Sequence, residues 1–322
     1  MRSLLPALLL AAAGSVCAQT PADFPSRPIR FVLISSAGSG GDTIGRMLAE
    51  RMGAVLKAGF VVENKPGAAG ALATESVAKA PADGHTILLG GYTTHVLLPA
   101  VNPKLGYDPV RDFAPVGRVG VASILLVAAN DFPAGSLKEF VAYAKANPGL
   151  QYGSWGLGST GHFCGELLAQ KKDLRIQHVP YKSVAQLSTD LLGAHIRLGF
   201  VDMASGSPLV KGGRLKALGA CTSRSPSLPG VTSYEDEGIE FDGMKVAPPL
   251  WAVYAPAATP RGAVEKLGAA LKAALEAPDV KARLLDLGVT ASFQPGDELR
   301  ESLKSNVEPW KQVARRGNIS ID

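Results

Sequence analysis

Cysteine is scarce in this chain, three residues in 322, and no two of them form a C-x-x-C pair. That excludes a disulfide-dense scaffold and a zinc-ribbon or thioredoxin-like centre. Cys17 falls in a leader described below, which leaves Cys164 and Cys221. Their separation does not forbid pairing, but two isolated cysteines make no framework, and they are read as buried free thiols. The five histidines, His85, His95, His162, His178 and His195, show no H-E-x-x-H or other metal spacing, so each is read as structural. No G-x-S-x-G elbow is present, and Gly38-Ser-Gly-Gly41 does not complete a G-x-G-x-x-G dinucleotide loop. The reading is therefore not an enzyme, with no catalytic residues, no metal and no cofactor. Charge is also sparse, at 19% of residues, and it is scattered, so nothing reads as a disordered tail. The net charge of +5 comes from basic residues set beside acidic ones, as in Lys266 to Glu276. That describes a solvated surface, not a nucleic-acid footprint, although the surplus mildly steers anionic solutes. Past the leader no apolar run is long enough to cross a membrane.

What is present begins at the N-terminus. Met1-Arg2 is positive, Leu4 to Val16 is apolar, and Val16-Cys17-Ala18 fits a small-residue cleavage site, so residues 1–18 are expected to be a signal peptide cut after Ala18. Cys17 keeps a lipoprotein alternative open, weakened by the branched Val16 before it.

Strands and helices then alternate. Ile29 to Ile34 is an apolar run broken only by Arg30, as in a buried parallel strand. Ile44, Met47, Leu48, Met52 and Val55 recur at helical spacing behind Asp42, which sits where an N-cap belongs. Phe60 to Val62 and Thr86 to Leu89 read as strands, with a helix over Ala71 to Lys79 stopped by Pro81. This βαβ order implies a parallel sheet covered by helices. A second alternating set follows. Strands are expected at Ser123 to Ala128, Ile176 to Val179, Ile196 to Val201 and Leu215 to Ala220. Capping boxes open helices at Ser136-x-x-Glu139 and Ser183-x-x-Gln186, and another helix follows Ser159. The C-terminal part reads as mostly helical from Thr259-Pro260, a cap-plus-N1 start.

Two strand-to-helix loops share one design: Ser35-Ser-Ala-Gly-Ser-Gly-Gly-Asp42 and Gly153-Ser-Trp-Gly-Leu-Gly-Ser-Thr-Gly-His162. Glycines let the backbone approach a ligand, and a helix start offers N–H groups and partial positive charge, so the pair suits an anion held between two lobes. Either loop alone reads better as an ordinary βα turn; it is the pair, one in each half, that points to a ligand. Asn64 to Gly70 is a third glycine-rich loop, read as ligand wall or as simple turn. Tyr92-Thr-Thr-His95 lies at a strand's carboxyl end, where ligands of α/β folds sit. Asp202 has two readings, a ligand contact or the cap of a short helix opened by Ser207-Pro208.

The landmarks of the chain stand in the order of a known family. They are Pro25-Ser-Arg-Pro-Ile-Arg30, Gly38 through Arg46, Glu63-Asn-Lys-Pro-Gly67, Asp83-Gly-His-Thr86, and Tyr107 through Val116. Tyr152-Gly-Ser154 with Gly158 through His162, Val179-Pro-Tyr-Lys182, Lys211 through Leu218, and Ala255-Pro-x-x-Thr-Pro260 complete the series. From about Phe24 to Trp310 the chain resembles the Bug/TctC receptors, the periplasmic substrate-binding components of tripartite tricarboxylate transporters. The resemblance implies a type II periplasmic-binding-protein fold, two α/β lobes joined by a two-strand hinge, with lobe one at 23–121 and 247–322 and lobe two at 122–246. It implies a small carboxylate (a di- or tricarboxylate, an amino acid or an aromatic acid) trapped in the interlobe cleft, membrane transporter components as partners, and a monomer in the periplasm. Rival readings are a sensor feeding a receptor kinase and, behind it, a secreted enzyme on the same fold. The ligand-binding set read from loops and resemblance together is Ala37, Gly38, Ser39, Gly40, Asp42, Thr94, Trp155, Ser159, Thr160, His162 and Asp202. Four positions depart from the family. Ser35 and Ser36 replace a Phe and a Pro-like residue, Trp155 is bulkier than usual, and Ser183 replaces a Gly. Ligand identity does not carry over; the hydroxyls suit a more polar ligand, while Trp155 narrows or aromatises the pocket.

Overall fold

The computed structural model describes residues 24–239, 250–316 and 319–320. The expected leader, and the lobe limits at residues 23, 246 and 247, lie outside the described residues.

The first unit is the expected βαβ layer. β1 (Ile29–Leu33) lies between β2 (Phe60–Asn64) and β3 (Thr86–Gly91), parallel to both, which suits its buried apolar side chains; Arg30 alone departs, half-exposed and paired with Glu63. α1 (Gly40–Leu56) connects β1 to β2, and α2 (Ala71–Ala78) precedes β3. The cap of α1 is Ser39, not Asp42: the Ser39 hydroxyl accepts the Asp42 N–H at 3.4 Å, and Asp42 lies inside the first turn. After a wide helical turn over Thr93–Leu97 and the short α3 (Leu98–Val101), the chain enters β4 (Phe113–Ala122). Only Ser123 separates β4 from β5 (Ile124–Ala128), which belongs to a second sheet.

The second set runs α4 (Leu137–Ala146), β6 (Leu150–Ser154), α5 (Thr160–Lys172), β7 (Ile176–Pro180), α6 (Val184–Leu192), β8 (Leu198–Asp202), α7 (Met203–Lys211) and β9 (Lys216–Ala220). Both capping boxes form: the Ser136 and Ser183 hydroxyls accept the N–H groups of Glu139 and Gln186 at 3.2 Å each. The chain then returns to the first sheet through β10 (Leu250–Pro256), α8 (Arg261–Glu276), α9 (Pro278–Asp286), β11 (Val289–Pro295) and α10 (Gly296–Arg316). Pro260 takes the cap position of α8 without a side-chain bond, and the Thr259 hydroxyl is buried without a partner, so the expected Thr cap does not form.

Both sheets are mixed, where the sequence implied parallel ones. Their orders are β11-β4-β10-β3-β1-β2 and β7-β6-β8-β5-β9. β10 runs antiparallel to β3 and β4 because the chain re-enters the sheet from the second lobe; β5 is likewise antiparallel to β8 and β9. One apolar core lies within the second sheet's layer, around Phe140, Tyr152, Leu168 and Phe200. A larger one joins Leu33, Leu89 and Val253 of the first sheet to Leu125, Val201 and Met203 of the second unit, so the two units share packed surface.

Cys164 and Cys221 form a disulfide, with Cα atoms 5.8 Å apart. The reading as free thiols is corrected: the residues are 57 positions apart, and only the packing of α5 over the central strands brings them together.

Candidate functional site

The loop before α1 is held by Asp42. Its carboxylate accepts from the Gly38 N–H at 2.9 Å, from Asn64 Nδ2 at 2.9 Å and from Arg46 Nε at 3.1 Å. Burial pushes the Asp42 carboxyl up, but the bonds from Arg46, Gly38 and Asn64 outweigh it and hold the group below the usual carboxylate range. Gly38 adopts φ +77°, the left-handed region that glycine reaches without strain. The Ser39 hydroxyl donates to the Ser36 carbonyl at 2.7 Å.

The loop before α5 is held from behind by a buried polar cluster. Ser154 Oγ lies 2.6 Å from His178 Nε2 and 3.0 Å from Ser159 Oγ, which caps α5 by accepting the His162 N–H at 3.2 Å. His162 stacks on His178 with centroids 4.0 Å apart and accepts the Gly158 N–H at Nδ1. Burial lowers His162 to about 4; burial and the neighbouring His162 lower His178 to about 3. Ser154 and His178 have the spacing of a nucleophile and base, but Ser154 is 0% exposed and its hydroxyl also donates to the Gly156 carbonyl. The pair fixes the loop and faces no cleft. Among the described residues no group of three or more His, Cys, Asp or Glu is placed to hold a metal ion.

Each loop is bonded to the opposite lobe across a closed cleft, one to the turn after β3 and the other to the start of α7. Thr93 Oγ1 and Thr160 Oγ1 are 2.7 Å apart, and the Thr160 N–H donates to Thr93 Oγ1 at 3.3 Å. The Gly40 N–H donates to Ser205 Oγ at 3.1 Å. A Cβ on Gly40 would stand 2.3 Å from the Ala204 carbonyl carbon, so helix α1 approaches α7 only because that side chain is absent. The N–H groups of Gly38, Gly40 and Thr160, which an anion pincer would use, are thus engaged within the protein.

Between the loops lies a cavity, partly open to solvent, walled by both sheets' loops and by Ala122-Ser123-Ile124 at the strand crossing. Of the residues expected at the site, Ser39, Trp155, Thr160 and Asp202 line this cavity. Ala37, Gly38, Gly40, Asp42, Thr94, Ser159 and His162 are not on its wall. The Thr94 hydroxyl turns inward, donating to the Gly91 carbonyl at 3.1 Å beside His95 Nδ1, while Thr93 takes the cleft side. Asp202 caps α7, accepting the Ser205 N–H at 2.9 Å, and it also lines the cavity. The helix opens at Met203, with Pro208 inside it, not at Ser207. Burial raises the Asp202 carboxyl above its usual range against the backbone donors that oppose it.

Wall residues outside the expected set include Ser36, Tyr92 and Thr93, in segments already noted for their hydroxyls, and Lys182 and Trp251, which sequence reasoning missed. Lys182 belongs to the Val179-Pro-Tyr-Lys segment noticed for other reasons. The Ser36 hydroxyl is buried there without a hydrogen-bond partner. The Tyr92 hydroxyl is anchored away from the cleft, donating to Asn306 and accepting from Trp310 Nε1 at 2.8 Å.

Residues 44–319 match the model of the tripartite tricarboxylate transporter family receptor, TctC. A curated relative, the UPF0065 protein in the tcbD-tcbE intergenic region of Pseudomonas sp. (strain P51), is 33% identical over 316 residues, covering 97% of this chain and 93% of the relative. The solved periplasmic binding protein BugD superposes with a TM-score of 0.86 at 30% identity, over 92% of this chain and 99% of BugD. MatC from Rhodopseudomonas palustris, solved with bound malate, superposes with a TM-score of 0.83 at 30% identity, over 90% of this chain and 99% of that one. No helix among the described residues is long and apolar enough to cross a membrane.

Proposed function

The chain belongs to the tripartite tricarboxylate transporter receptor family, and on that premise we propose that it captures a small carboxylate in the cleft between its lobes for delivery to membrane transporter components. The observation that carries the reading is the cavity itself, which both lobes wall and which the Thr93–Thr160 and Gly40–Ser205 bonds close. Such a site captures by closure: a ligand touching both lobes favours the closed state by the difference in its contacts with the two states. The malate held by MatC supports a carboxylate as the solute. The Ser154–His178 contact is buried behind a loop and away from the cleft, which supports capture over turnover. The lobes are taken as 23–121 with 247–322 and 122–246, with the crossing at Ser123 as hinge. We place the mature protein in the periplasm as a monomer, after removal of residues 1–18. Ser39, Trp155, Thr160 and Asp202 are the wall contacts from the expected set, joined by Ser36, Thr93, Lys182 and Trp251; the remaining expected residues shape the loops behind them.

A thermal-shift panel of mono-, di- and tricarboxylates tests the proposal, because a ligand that binds only the native state raises the melting temperature. At least one carboxylate should raise it in a dose-dependent way and be recovered unchanged by NMR. No shift with any carboxylate, or product formed above a heat-inactivated control, would overturn it.

A further inference from the structure

Resting on that solute-binding reading, we infer that the cleft selects a monocarboxylate carried on a flat, apolar ring, held between Trp155 of one lobe and Trp251 of the other. The chain has three tryptophans. Trp310 is buried in the core against Tyr92 and Phe163, whereas the other two both line the cavity. They reach it by the same device. The second residue of each loop helix is glycine, Gly41 in α1 and Gly161 in α5. A Cβ on Gly41 would stand 2.8 Å from Trp251 Cη2, and one on Gly161 would stand 2.7 Å from Trp155 Cζ3. Each indole therefore lies against bare backbone in the first turn of a cleft helix, one on each side of the closure. Both rings are only partly buried, each packed against an apolar core on one side, which leaves surface for a ligand. Aromatic rings of this kind favour a planar partner by stacked or edge contacts over a floppy or fully polar one.

Charge sets the number of carboxylates. The wall includes one cationic side chain, Lys182, and one acid, Asp202. A single carboxylate is matched by that lysine. A second carboxylate would find no further cation, and would meet Asp202, whose ionised form repels it and whose neutral form supplies no compensating charge. The Ser36 hydroxyl, buried without a partner, adds one free donor. Asp202 in turn can accept a hydroxyl or amino group at the far end of the ring. The arrangement departs from the polyanion that the family's descriptive name suggests.

The test is calorimetric titration with two sets of probes, benzoate, 4-hydroxybenzoate, phenylacetate and 3-phenylpropanoate against malate, succinate and citrate. The best aromatic acid should bind at least about tenfold tighter than the best of the second set, with quenching of tryptophan fluorescence. Trp155→Ala and Trp251→Ala should each weaken that aromatic acid by about tenfold or more while weakening malate less, and Trp155→Phe should retain most of the affinity. Lys182→Met should weaken every carboxylate in both sets. Circular dichroism melts confirm that each variant folds, and Trp155→Phe keeps the test alive if an alanine variant does not. Tighter binding of malate, succinate or citrate than of every aromatic probe would overturn the inference and leave the solute-binding reading standing. Equal affinity of the folded Trp→Ala variants and the parent for the aromatic acid would overturn it as well. Failure of every probe in both sets would overturn the solute-binding reading together with the inference.

Discussion

Thr93 and Thr160 face each other from opposite lobes with their hydroxyl oxygens 2.7 Å apart, and the same Thr93 oxygen receives the first N–H of helix α5. The closure contact is thus a side chain of one lobe inserted into the cap of a helix in the other. Thr93→Val keeps the shape and removes both bonds. A neutral hydrogen bond contributes about 1 kcal/mol net, so the closed state should lose about that much or somewhat more. Ligand affinity should fall about fivefold to thirtyfold, with the melting temperature of the ligand-free protein nearly unchanged. Calorimetry beside a melting curve checks this, and unaltered affinity would mean the threonine pair does not govern closure.

Gly40 gives a harsher test of the same movement. Its missing Cβ is what lets α1 meet α7, with 2.3 Å to the Ala204 carbonyl carbon. Gly40→Ala should hold the lobes apart, cut affinity by about a hundredfold or more, and raise the radius of gyration measured by small-angle scattering in the presence of ligand. Gly38→Ala is the control. It meets only the backbone strain of φ +77°, with open space around its Cβ, so the loop should weaken without blocking closure.

The Cys164–Cys221 bridge should be a stability element confined to one lobe. Replacing both cysteines by alanine removes a closed loop of 57 residues and should cost about 2–4 kcal/mol in urea unfolding. Binding should survive wherever the variant is folded, because neither cysteine lines the cleft. A variant as stable as the parent would show that core packing alone holds α5 in place.

Acid should destabilise the fold before the carboxylates titrate. Burial holds His162 near 4 and His178 near 3, and burial, partly offset by a hydrogen bond to the Gly91 backbone, holds His95 near 3. An unfolded histidine titrates near 6.5. Below about 6.5 the unfolded chain therefore takes up protons that the folded chain refuses. The stabilising contribution is complete above about 6.5 and is lost as pH falls toward the folded values. The slope should be on the order of 1 kcal/mol per pH unit per histidine. Urea midpoints at pH 7.5, 6.0 and 4.5 measure it, and a flat profile down to pH 4.5 would contradict the neutral buried cluster.

What could be read from the sequence was what local chemistry encodes. Ser136 with Glu139, Ser183 with Gln186, and the apolar β1 run announce themselves within a few residues, and so do the two glycine loops. The strands β4, β10 and β11 did not. β4 carries Pro115, Gly117 and Gly120 within its run, and its pairing with β10 and β11 shifts register, so neither composition nor alternation marks it. Trp251 went unnoticed for the same reason: its place beside Gly41 exists only because β10 returns between β3 and β4. Thr93 was passed over for Thr94 because the segment forms a wide turn instead of a 3.6-residue helix, which changes which hydroxyl faces outward. Asp42 was read as a cap and ligand contact, yet its carboxylate is spent on Gly38, Asn64 and Arg46; Asn64 lies 22 residues away, beyond the reach of any spacing rule.

The passage of the chain from β4 to β5 through the single residue Ser123 also sets the scale of the signal a ligand produces. Ser123 is fastened to Thr222 at 2.9 Å, and its neighbours Ala122 and Ile124 line the cavity with it, so a captured solute rests at the fulcrum of a lever. Rotation about a fulcrum moves atoms in proportion to their distance from it. On that reading, a small accommodation at Ser123 would become a larger displacement at the ends of the helices farthest from it. On the proposed capture mechanism, occupancy would be displayed on the outer rim, away from the solute itself.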